Sequence, residues 1–501
     1  MQRECNLRGA SVGIHLGLSR SLVVFAFVFI AIGQALAACH AVTPSGAGAK
    51  SGADWNDAYA GLPGTLIRGD IYYLADGNYG NHLSLNTSAS GTLTIELRKA
   101  QSYDYGAGSN CSTSIGAGWN TSTMGSAQAY WQSTGSGQVV TLGSSGYYII
   151  NGNGNNAGTT EIGCGGVNAN PPSTMKGPAP NPAACGIRID DSTCTSTATD
   201  GCDGGSGVMN GGGPGIVFES VEWFGQGLNS AGNNNSETYF WFASTGNLAG
   251  VTISHSYIHN TSTTAFTVVS GGWTNGSFDH NYHWGVFDGS TNHGESIQLQ
   301  GSNSGWTVNH NIWRDQQTNG DVVAVMTGTQ KGSIYDNADF CSAGGTSTSC
   351  RHNDGFIGCF NSQTCAGYLV YNNTLSFPSN CGWNVSGGPS TMTVENNIFY
   401  NCGSVGMVGG TNTIDYNSYL NSNQAAVGAH DVSSSSAPSP LANSTSVQLA
   451  SDNALWKNRL SLGSPYDTAD LCSGMAFTTD RGACQYALVP SPPTNLTAAP
   501  N

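Results

Sequence analysis

The densest group of ionisable side chains in this 501-residue sequence surrounds the stretch NHGESIQLQG. Three segments, GESIQLQ, GDVVAVMT and DGFIGCFN, align on one apolar residue each, Ile297, Val323 and Ile357. If these segments are stacked parallel strands, Glu295 lies over Asp321 at a spacing of about 4.8 Å. Carboxylate oxygens are the ligands that a hard cation such as Ca²⁺ prefers. The alignment therefore predicts a site for a hard cation such as Ca²⁺, formed by Glu295, Asp321 and Asp354.

Candidate proton-transfer and substrate-binding groups lie close to this acidic pair in the sequence. The proton-transfer candidates are two arginines and two histidines, Arg314, Arg351, His293 and His352. Aromatic faces can stack against sugar rings. The substrate-binding candidates are Gln298, Trp284 and Trp313.

A structural interpretation of the acidic pair stays open beside the functional one. Side chains alternate between the two faces of a strand, so Glu295 and Asp321 share the side of the inward Ile297 and Val323. On that interpretation the two carboxylates cap backbone amides at the start of their strands and do not face a substrate.

The elements that carry these residues belong to a repeat between residues 250 and 420. Seven short segments recur at intervals of 20 to 36 residues, each with an apolar residue shortly before one asparagine or serine. This column consists of Ser256, Asn281, Asn311, Asn337, Asn373, Asn397 and Asn417. A fixed core with loops of variable length is typical of a solenoid. The segments are too short for helical repeats, and asparagine tolerates the left-handed conformation of a tight bend.

This pattern resembles the right-handed parallel β-helix of the pectate lyase-like superfamily, with its asparagine ladder, over residues 65–430. The resemblance implies an all-β solenoid, whereas a β-sandwich with chance asparagine spacing is the alternative. The composition agrees with a β-rich fold, because 70 residues are glycine and only 9% are charged.

The resemblance also implies an activity on extracellular polysaccharide. Lyases of this superfamily remove the proton next to a uronate carboxylate with a basic side chain, which here would be Arg314, Arg351, His293 or His352. Many of them use calcium to mask the carboxylate. The lysine expected in VVAVMTG is absent, which favours a non-catalytic carbohydrate-binding or adhesion protein as the alternative. A glycoside hydrolase is a second alternative, although no RIK-like motif is present.

Four further regions are predicted outside the regular repeat. Residues 1–37 have the charged and apolar segments of a signal peptide. Residues 38–64 are expected to hold a capping helix, from DWNDAYAGLPGTL, that covers the first open strand edge. Residues 155–214, rich in Gly, Pro and Cys, are expected to leave the solenoid as an excursion. Residues 431–501 form a C-terminal segment with a linker-like tail.

Cysteine usage and charge indicate an exported protein that does not bind nucleic acid. Removal of residues 1–37 leaves 14 of the 15 cysteines, and the pairs expected to close local loops are Cys341–Cys350, Cys359–Cys365, Cys381–Cys402 and Cys472–Cys484. Cys39 is expected in a disulfide, with lipidation of Cys39 in LAAC as the alternative. The same removal changes the net charge from −15 to −17, which disfavours nucleic acid. No segment is long enough to predict a membrane span.

A column of histidines directly precedes the asparagine column. It consists of His255, His280 and His310. Three stacked imidazoles could bind a transition metal. The alternative is that they decorate the outer surface of a turn.

Overall fold

The structure is a computed structural model of the whole chain. The residues that it describes are 36–108, 111–134, 138–152, 163–164, 185–192, 209–225, 240–242, 248–261, 266–268, 272–286, 294–318, 320–326, 330–341, 350–352, 355–360, 366–376, 380–385, 391–406, 411–424, 427–443, 446–472 and 476–486. The predicted signal peptide, apart from its last two residues, lies outside them. Within the described residues no helix is both long and apolar enough to cross a membrane.

Three long sheets of parallel strands form the body of the molecule. The first sheet contains, from one edge to the other, β2 (Tyr59–Ala60), β1 (Cys39–Thr43), β3 (Ile71–Leu74), β6 (Ile95–Lys99), β9 (Tyr148–Asn151), β12 (Val217–Glu219), β15 (Thr252–Ser254), β18 (Ser277–Asp279), β21 (Asn303–Asn309), β25 (Gln330–Tyr335), β29 (Ala366–Tyr371), β32 (Thr391–Glu395) and β34 (Thr413–Asp415). The second sheet contains β4 (Gly77–Asn78), β7 (Ala129–Gln132), β10 (Ile187–Asp190), β13 (Val221–Phe224), β16 (Tyr257–Thr261), β19 (Tyr282–Val286), β22 (Ile312–Arg314), β26 (Ala338–Phe340), β30 (Thr374–Ser376), β33 (Ile398–Tyr400), β35 (Ser418–Leu420) and β36 (Val432–Ser434). The third sheet contains β5 (Leu83–Leu85), β8 (Val140–Leu142), β11 (Met209–Gly211), β14 (Phe240–Phe242), β17 (Phe266–Val268), β20 (Ile297–Leu299), β24 (Asp321–Val325), β28 (Gly355–Cys359) and β31 (Trp383–Val385).

The chain visits the three sheets in turn and then returns to the first one coil further along. Strands β18, β19 and β20 form one coil, and β21, β22 and β24 form the next. A short parallel pair, β23 (Gln317–Thr318) and β27 (Arg351–His352), lies between second-sheet and third-sheet strands, and β37 (Leu441–Asn443) pairs antiparallel with β38 (Ser446–Leu449). The fold is therefore a parallel β-helix, as the repeat predicted.

Apolar residues of all three sheets fill the inside of the solenoid, and the first sheet contributes one regular column to it. This inward column consists of Leu97, Ile150, Phe218, Ile253, Phe278, Val308, Ile334, Val370 and Val394. Each of these side chains is almost completely buried, and all belong to one hydrophobic cluster that runs through the three sheets. Alternation of side chains places the residues on either side of this column on the outer surface.

The predicted asparagine column forms a continuous hydrogen-bonded row at the bend between the first and second sheets. The side-chain oxygen of Asn311 accepts from the backbone N–H and the amide group of Asn281, at 2.9 and 3.1 Å. The Asn311 backbone N–H and amide donate in the same way to Asn337, at 2.9 and 3.0 Å. The row continues through Asn373, Asn397 and Asn417. It satisfies polar groups that would otherwise be buried without partners.

The prediction of an N-terminal capping helix is wrong. Residues 54–66 form turns and the two-residue strand β2, and the first sheet already begins at β1, upstream of the predicted start at residue 65. Local bonds replace a helix, because the Asp54 carboxylate accepts from the backbone N–H groups of Asn56 and Asp57. In the described residues the helical elements are α1 (Thr121–Met124) and the 3₁₀ helix η1 (Ala454–Trp456).

The region predicted as an excursion, residues 155–214, contributes strands to the solenoid. Strand β10 pairs with β7 and β13 in the second sheet, and β11 pairs with β8 and β14 in the third. Alternating apolar residues in Ile187–Asp190 explain the return to the core. The rest of this region lies mostly outside the described residues.

Disulfides fix several of the loops. The predicted pairs Cys341–Cys350, Cys381–Cys402 and Cys472–Cys484 are confirmed, and Cys39 is bonded to Cys111. Cys164 pairs with Cys185. Cys359 is disulfide-bonded, and its predicted partner Cys365 lies outside the described residues.

The segment after residue 430 continues the solenoid and then folds back along it. Strand β36 extends the second sheet, and residues 456–472 and 476–486 cover outer surfaces of earlier coils with Trp456 and Arg481 fully buried. Arg481 donates to the backbone carbonyls of Asn417 and His430, at 2.7 and 2.8 Å. The linker-like tail lies outside the described residues from residue 487 onward.

Candidate functional site

The predicted acidic pair lies where the chain enters the third sheet. Ile297 pairs with Val323, so Glu295 and Asp321, each two residues earlier in the chain, stand in register on adjacent coils. The backbone N–H of Ser296 points to the Asp321 carbonyl at 3.4 Å. Both acidic side chains are 0% exposed.

Glycines pack directly against both carboxylates. A Cβ atom on Gly320 would lie 3.1 Å from the carboxyl carbon of Glu295, and one on Gly358 would lie 1.9 Å from Asp321 Oδ2. The corner is therefore closed and tightly packed. Both carboxylates are therefore enclosed, and the structural and functional interpretations of the pair both stay predictions.

The described residues offer only part of a calcium site at this corner. Glu295 and Asp321 supply two carboxylates, whereas Ca²⁺ takes about six to eight oxygen ligands. Asp354, the third predicted ligand, lies outside the described residues, as does His293. Calcium therefore stays a prediction. For Arg351 and His352 the structure describes the backbone alone, which pairs with Gln317 and Thr318.

The three predicted substrate contacts are separated by the fold. Trp313 lies in the core at 0% exposure, so it is a core residue and not a substrate contact. Its neighbour in the sequence, Arg314, lies on the opposite, outer side of the second sheet. Trp284 is the strand partner of Arg314 and is partly exposed. Gln298 lies on the outer side of the third sheet, where it accepts from Gln300 at 3.3 Å.

Several ionisable and aromatic side chains lie side by side on the outer face of the second sheet. We call the position of the asparagine column in each coil its ladder position. The residues one and three positions after it point outward, because the residue between them faces the core. The third-position row runs His259, Trp284, Arg314 and Phe340, and the first-position row runs Glu222, Tyr257, Tyr282 and Ile312. We call these two rows the second-sheet face. They run along the helix axis with a spacing of about 4.8 Å from coil to coil.

A buried histidine–carboxylate pair occupies one end of the second-sheet face. The Nε2 atom of His259 lies 3.0 Å from Glu222 Oε1, and both side chains are almost completely buried. The Gln128 amide donates to Glu222 Oε2 at 2.6 Å. The His259 ring stacks between Tyr257 and Phe224, with centroid distances of 4.2 and 4.5 Å. These contacts hold the imidazole in one orientation.

An arginine–tyrosine pair lies two coils further along the same face. The Arg314 guanidinium donates to the Tyr282 hydroxyl at 3.4 Å and lies 3.4 Å from the Asp315 carboxylate. Burial raises the pKa of Tyr282 to about 12, and the charge of Arg314 opposes that rise. Arg314 is 2% exposed, and apolar groups from Leu441, Leu471 and the Cys472–Cys484 disulfide pack in the same outer cluster.

Sequence reasoning found Arg314 and Trp284 but missed Glu222, His259 and Tyr282. The signal was present in the repeat, because these residues stand at fixed positions after the ladder position, in VEWF, YIHN and YHW. Reading those positions as one outward face requires the register between coils, which the variable loops conceal.

No family model matches the chain, and no curated protein matches it. Solved structures with a similar course include pectate lyase Pel9A, at 10% sequence identity and a TM-score of 0.38, covering 73% of this chain and 80% of that one. The GH136 lacto-N-biosidase from Eubacterium ramulus is 11% identical with a TM-score of 0.37, covering 79% and 67%. The A-module of the Azotobacter vinelandii mannuronan C-5 epimerase AlgE6 is 12% identical with a TM-score of 0.28, covering 74% and 91%. The assignment of a parallel β-helix rests on the strand pairing of this chain itself.

Proposed function

We propose that this chain is an exported enzyme that cleaves a uronate-containing extracellular polysaccharide by β-elimination at the second-sheet face. The observation that carries the proposal is the pair formed by Arg314 and Tyr282, 3.4 Å apart, beside the partly exposed Trp284. A cation, a hydroxyl group and an aromatic face thus lie together on one outward surface.

The chemistry requires the substrate carboxylate to be masked before the neighbouring proton can leave. An arginine guanidinium suits this role, because its planar donors match both oxygens of a carboxylate. Trp284 supports the sugar ring by stacking. The direction of the two rows along the helix axis suits a linear polymer.

In the proposed reaction Tyr282 moves the proton. Burial disfavours the Tyr282 phenolate and the charge of Arg314 favours it, so only the deprotonated fraction of Tyr282 acts as the base. This phenolate accepts the proton from the carbon next to the uronate carboxylate, and the electron pair of that C–H bond forms a double bond to the neighbouring carbon. The bond from that carbon to the glycosidic oxygen breaks, and Tyr282 returns the proton to this oxygen. Because Tyr282 and Arg314 are buried beneath the outer apolar cluster, the proposal includes an opening of that cover when polymer binds.

The test is incubation of the full chain with pectate, alginate and glycosaminoglycans, with and without Ca²⁺. Ultraviolet absorbance of the unsaturated product is measured. Tyr282→Phe and Arg314→Gln are expected to lower the rate by at least about 100-fold, whereas Lys331→Gln, a loss of charge at an exposed position of the first sheet, is expected to leave it unchanged. Absence of an unsaturated product on every polymer, or new reducing ends without unsaturation, would rule out β-elimination.

Burial of Tyr282 and Arg314 favours one other function, carbohydrate binding without catalysis. In that case the same polymers retard the protein in affinity electrophoresis while no product forms. Trp284→Ala would then reduce the retardation, and Tyr282→Phe would not.

A further inference from the structure

A column of residues in the left-handed conformation stands directly before the asparagine ladder. Its members are Ser220, His255, His280, His310, Asp336, Asn372, Asn396 and Tyr416, with φ between 48° and 62°. Asn, Asp and His are the side chains most often found in this conformation apart from glycine. The repeated bend therefore places the side chains of successive coils one above another on the outside of the turn.

Three imidazoles of this column form a stack. The rings of His255 and His280 are 4.8 Å apart with 8° between their planes, and those of His280 and His310 are 4.4 Å apart with 13° between them. Their exposure is low, at 8% for His280 and 9% for His310.

The Asp279 carboxylate stands against two of these rings. Asp279 Oδ1 lies 2.7 Å from His280 Nδ1 and 3.5 Å from His310 Nδ1. One possible ligand atom from each of these three residues lies within 4.8 Å of the others, and no other group of three His, Cys, Asp or Glu side chains in the described ranges meets that condition. Asp279 remains partly exposed, so solvent reaches the cluster from its side.

The Nε2 atom of His310 has the kind of partners that the second ring nitrogen of a metal-binding histidine has. Its Nε2 atom lies 3.4 Å from the Ala469 carbonyl and 3.6 Å from the buried Asp336 carboxylate. Histidines that bind metals nearly always donate the other ring N–H to a carbonyl or carboxylate, which fixes the tautomer and directs the free lone pair to the metal. Here that lone pair is on Nδ1, which lies 3.5 Å from Asp279 Oδ1 and accepts from the Asn309 amide at 2.9 Å, so a bound ion must displace this amide.

We propose that Asp279, His280 and His310 bind one divalent transition-metal ion of the zinc, copper or nickel class. Imidazole nitrogens select these metals over Ca²⁺ and Mg²⁺, which prefer oxygen ligands. The candidate ligand atoms lie within 4.8 Å of one another, and the two stacked rings must rotate so that both Nδ1 lone pairs converge on one ion. The His255 ring lies beside the site, and within the described part of the chain neither of its buried nitrogens has a hydrogen-bond partner.

The ion would fasten the C-terminal segment to the solenoid, because His310 contacts both the metal and Ala469. The competing interpretation is a polar network without metal, in which Asp279 accepts from His280 and from the Asn309 amide, at 2.7 and 2.5 Å. Only the metal-site interpretation predicts stoichiometric binding of a metal ion. The site is independent of the proposed lyase activity, because it lies at the bend and not on the second-sheet face.

The test begins with the full chain freed of metal by a chelator and dialysis. Zn²⁺, Ni²⁺, Ca²⁺ and Mg²⁺ are titrated separately, with bound metal measured by mass spectrometry and affinity by competition with a chromophoric chelator. One equivalent of Zn²⁺ or Ni²⁺ and a higher Tm are expected, with no equivalent of Ca²⁺ or Mg²⁺ at this site. Failure of the native chain to bind any transition metal stoichiometrically would overturn the proposal.

Variants then locate the ion. His280→Asn and His310→Asn keep a side chain that this column already carries at Asn372 and Asn396, so the bend is preserved. Each is expected to weaken Zn²⁺ binding by at least about 100-fold, and Asp336→Asn, which acts through His310, by about 10- to 100-fold. The matched control is His430→Asn, which removes an exposed histidine 2.8 Å from the Asp415 carboxylate. Unchanged Zn²⁺ affinity in both His280→Asn and His310→Asn, or a loss as large in His430→Asn, would contradict the assignment.

Discussion

Trp284 and Arg314 lie directly opposite each other on adjacent strands of the second sheet, with His259 on the other side of Trp284. The three residues occupy the same position after the ladder in successive coils. This register joins a partly exposed aromatic ring to a cation and to a histidine–carboxylate pair, in a line that runs along the helix axis.

Trp284→Ala is expected to weaken polysaccharide binding by about 2- to 12-fold. This corresponds to the loss of an aromatic contact of about 0.5–1.5 kcal/mol. Affinity electrophoresis against the polymer that binds the unmodified chain measures the effect. Trp313→Phe is the comparison, because Trp313 is in the core and its change should lower stability without changing affinity. Equal weakening by both variants would argue against a direct role of Trp284.

Asn311→Ala is expected to lower the free energy of unfolding by about 2–4 kcal/mol. The substitution leaves the buried backbone N–H of Asn281 and the carbonyl of Phe278 without the partners that they have at 2.9 and 2.8 Å. Urea denaturation followed by circular dichroism measures the change. Asn423→Ala, at an exposed position where the amide donates to the Gly403 carbonyl, should stay within about 0.5 kcal/mol. A ladder variant as stable as that control would show that the row contributes little.

Gly358→Ala is expected to destabilise the third sheet by about 1–3 kcal/mol. The new methyl group would lie 1.9 Å from Asp321 Oδ2 and 2.4 Å from the Phe360 ring, so the buried carboxylate must move. Gly64→Ala has open space around its Cβ position and provides the neutral comparison. Thermal unfolding of the two variants under the same conditions decides whether the Asp321 corner is as closely packed as the structure has it.

Glu219→Gln is expected to stabilise the protein at neutral pH and not at acid pH. Burial, with the nearby Glu96, raises the pKa of Glu219 above its ordinary value of 4.5. A raised pKa in the folded state means that the stability from this group is fully present below the unfolded pKa and is lost as pH rises through the folded one. The variant removes that loss, so its advantage should appear above pH 4.5 and vanish below it.

Glu96→Gln serves as the opposite case for the same pH series. The Glu96 carboxylate accepts from Arg98 Nε at 2.6 Å, so its removal should destabilise the protein at neutral pH. Chemical denaturation from about pH 4 to 8 compares the two variants. A gain from Glu219→Gln that is the same at both ends of this range would refute the pKa argument.

The fold could be predicted from the repeat, because each coil repeats one apolar residue followed by one amide. Val308 and Asn311 need no long-range information to be placed, since alternation and bend geometry are local. Local spacing also produced the wrong prediction of a capping helix in the first coil. Trp55 and Leu62 in DWNDAYAGLPGTL have helical spacing, yet the backbone bonds of this segment go to turns and to strand β1.

The candidate site could be predicted only in part from the sequence. The register of Glu295 over Asp321 followed from the apolar alignment of Ile297 with Val323, and the structure has that register. The closed packing of the pair did not follow, because it depends on Gly320 and Gly358 of neighbouring coils. Trp313 and Arg314 are adjacent in sequence. Only the position of the core decides that Trp313 packs inside the solenoid and Arg314 faces outward.

The sequence by itself determined the solenoid, the position of the bends and most disulfide partners of the described loops, because these depend on short-range periodicity and chain closure. The tertiary structure decided which side chains share a surface. Glu222 and His259 are 37 residues apart but meet at 3.0 Å, and His280 and His310 are 30 residues apart but stack. In a solenoid such neighbours are set by loop lengths that vary from coil to coil, so stacking of the coils, and not spacing along the chain, assembles the sites.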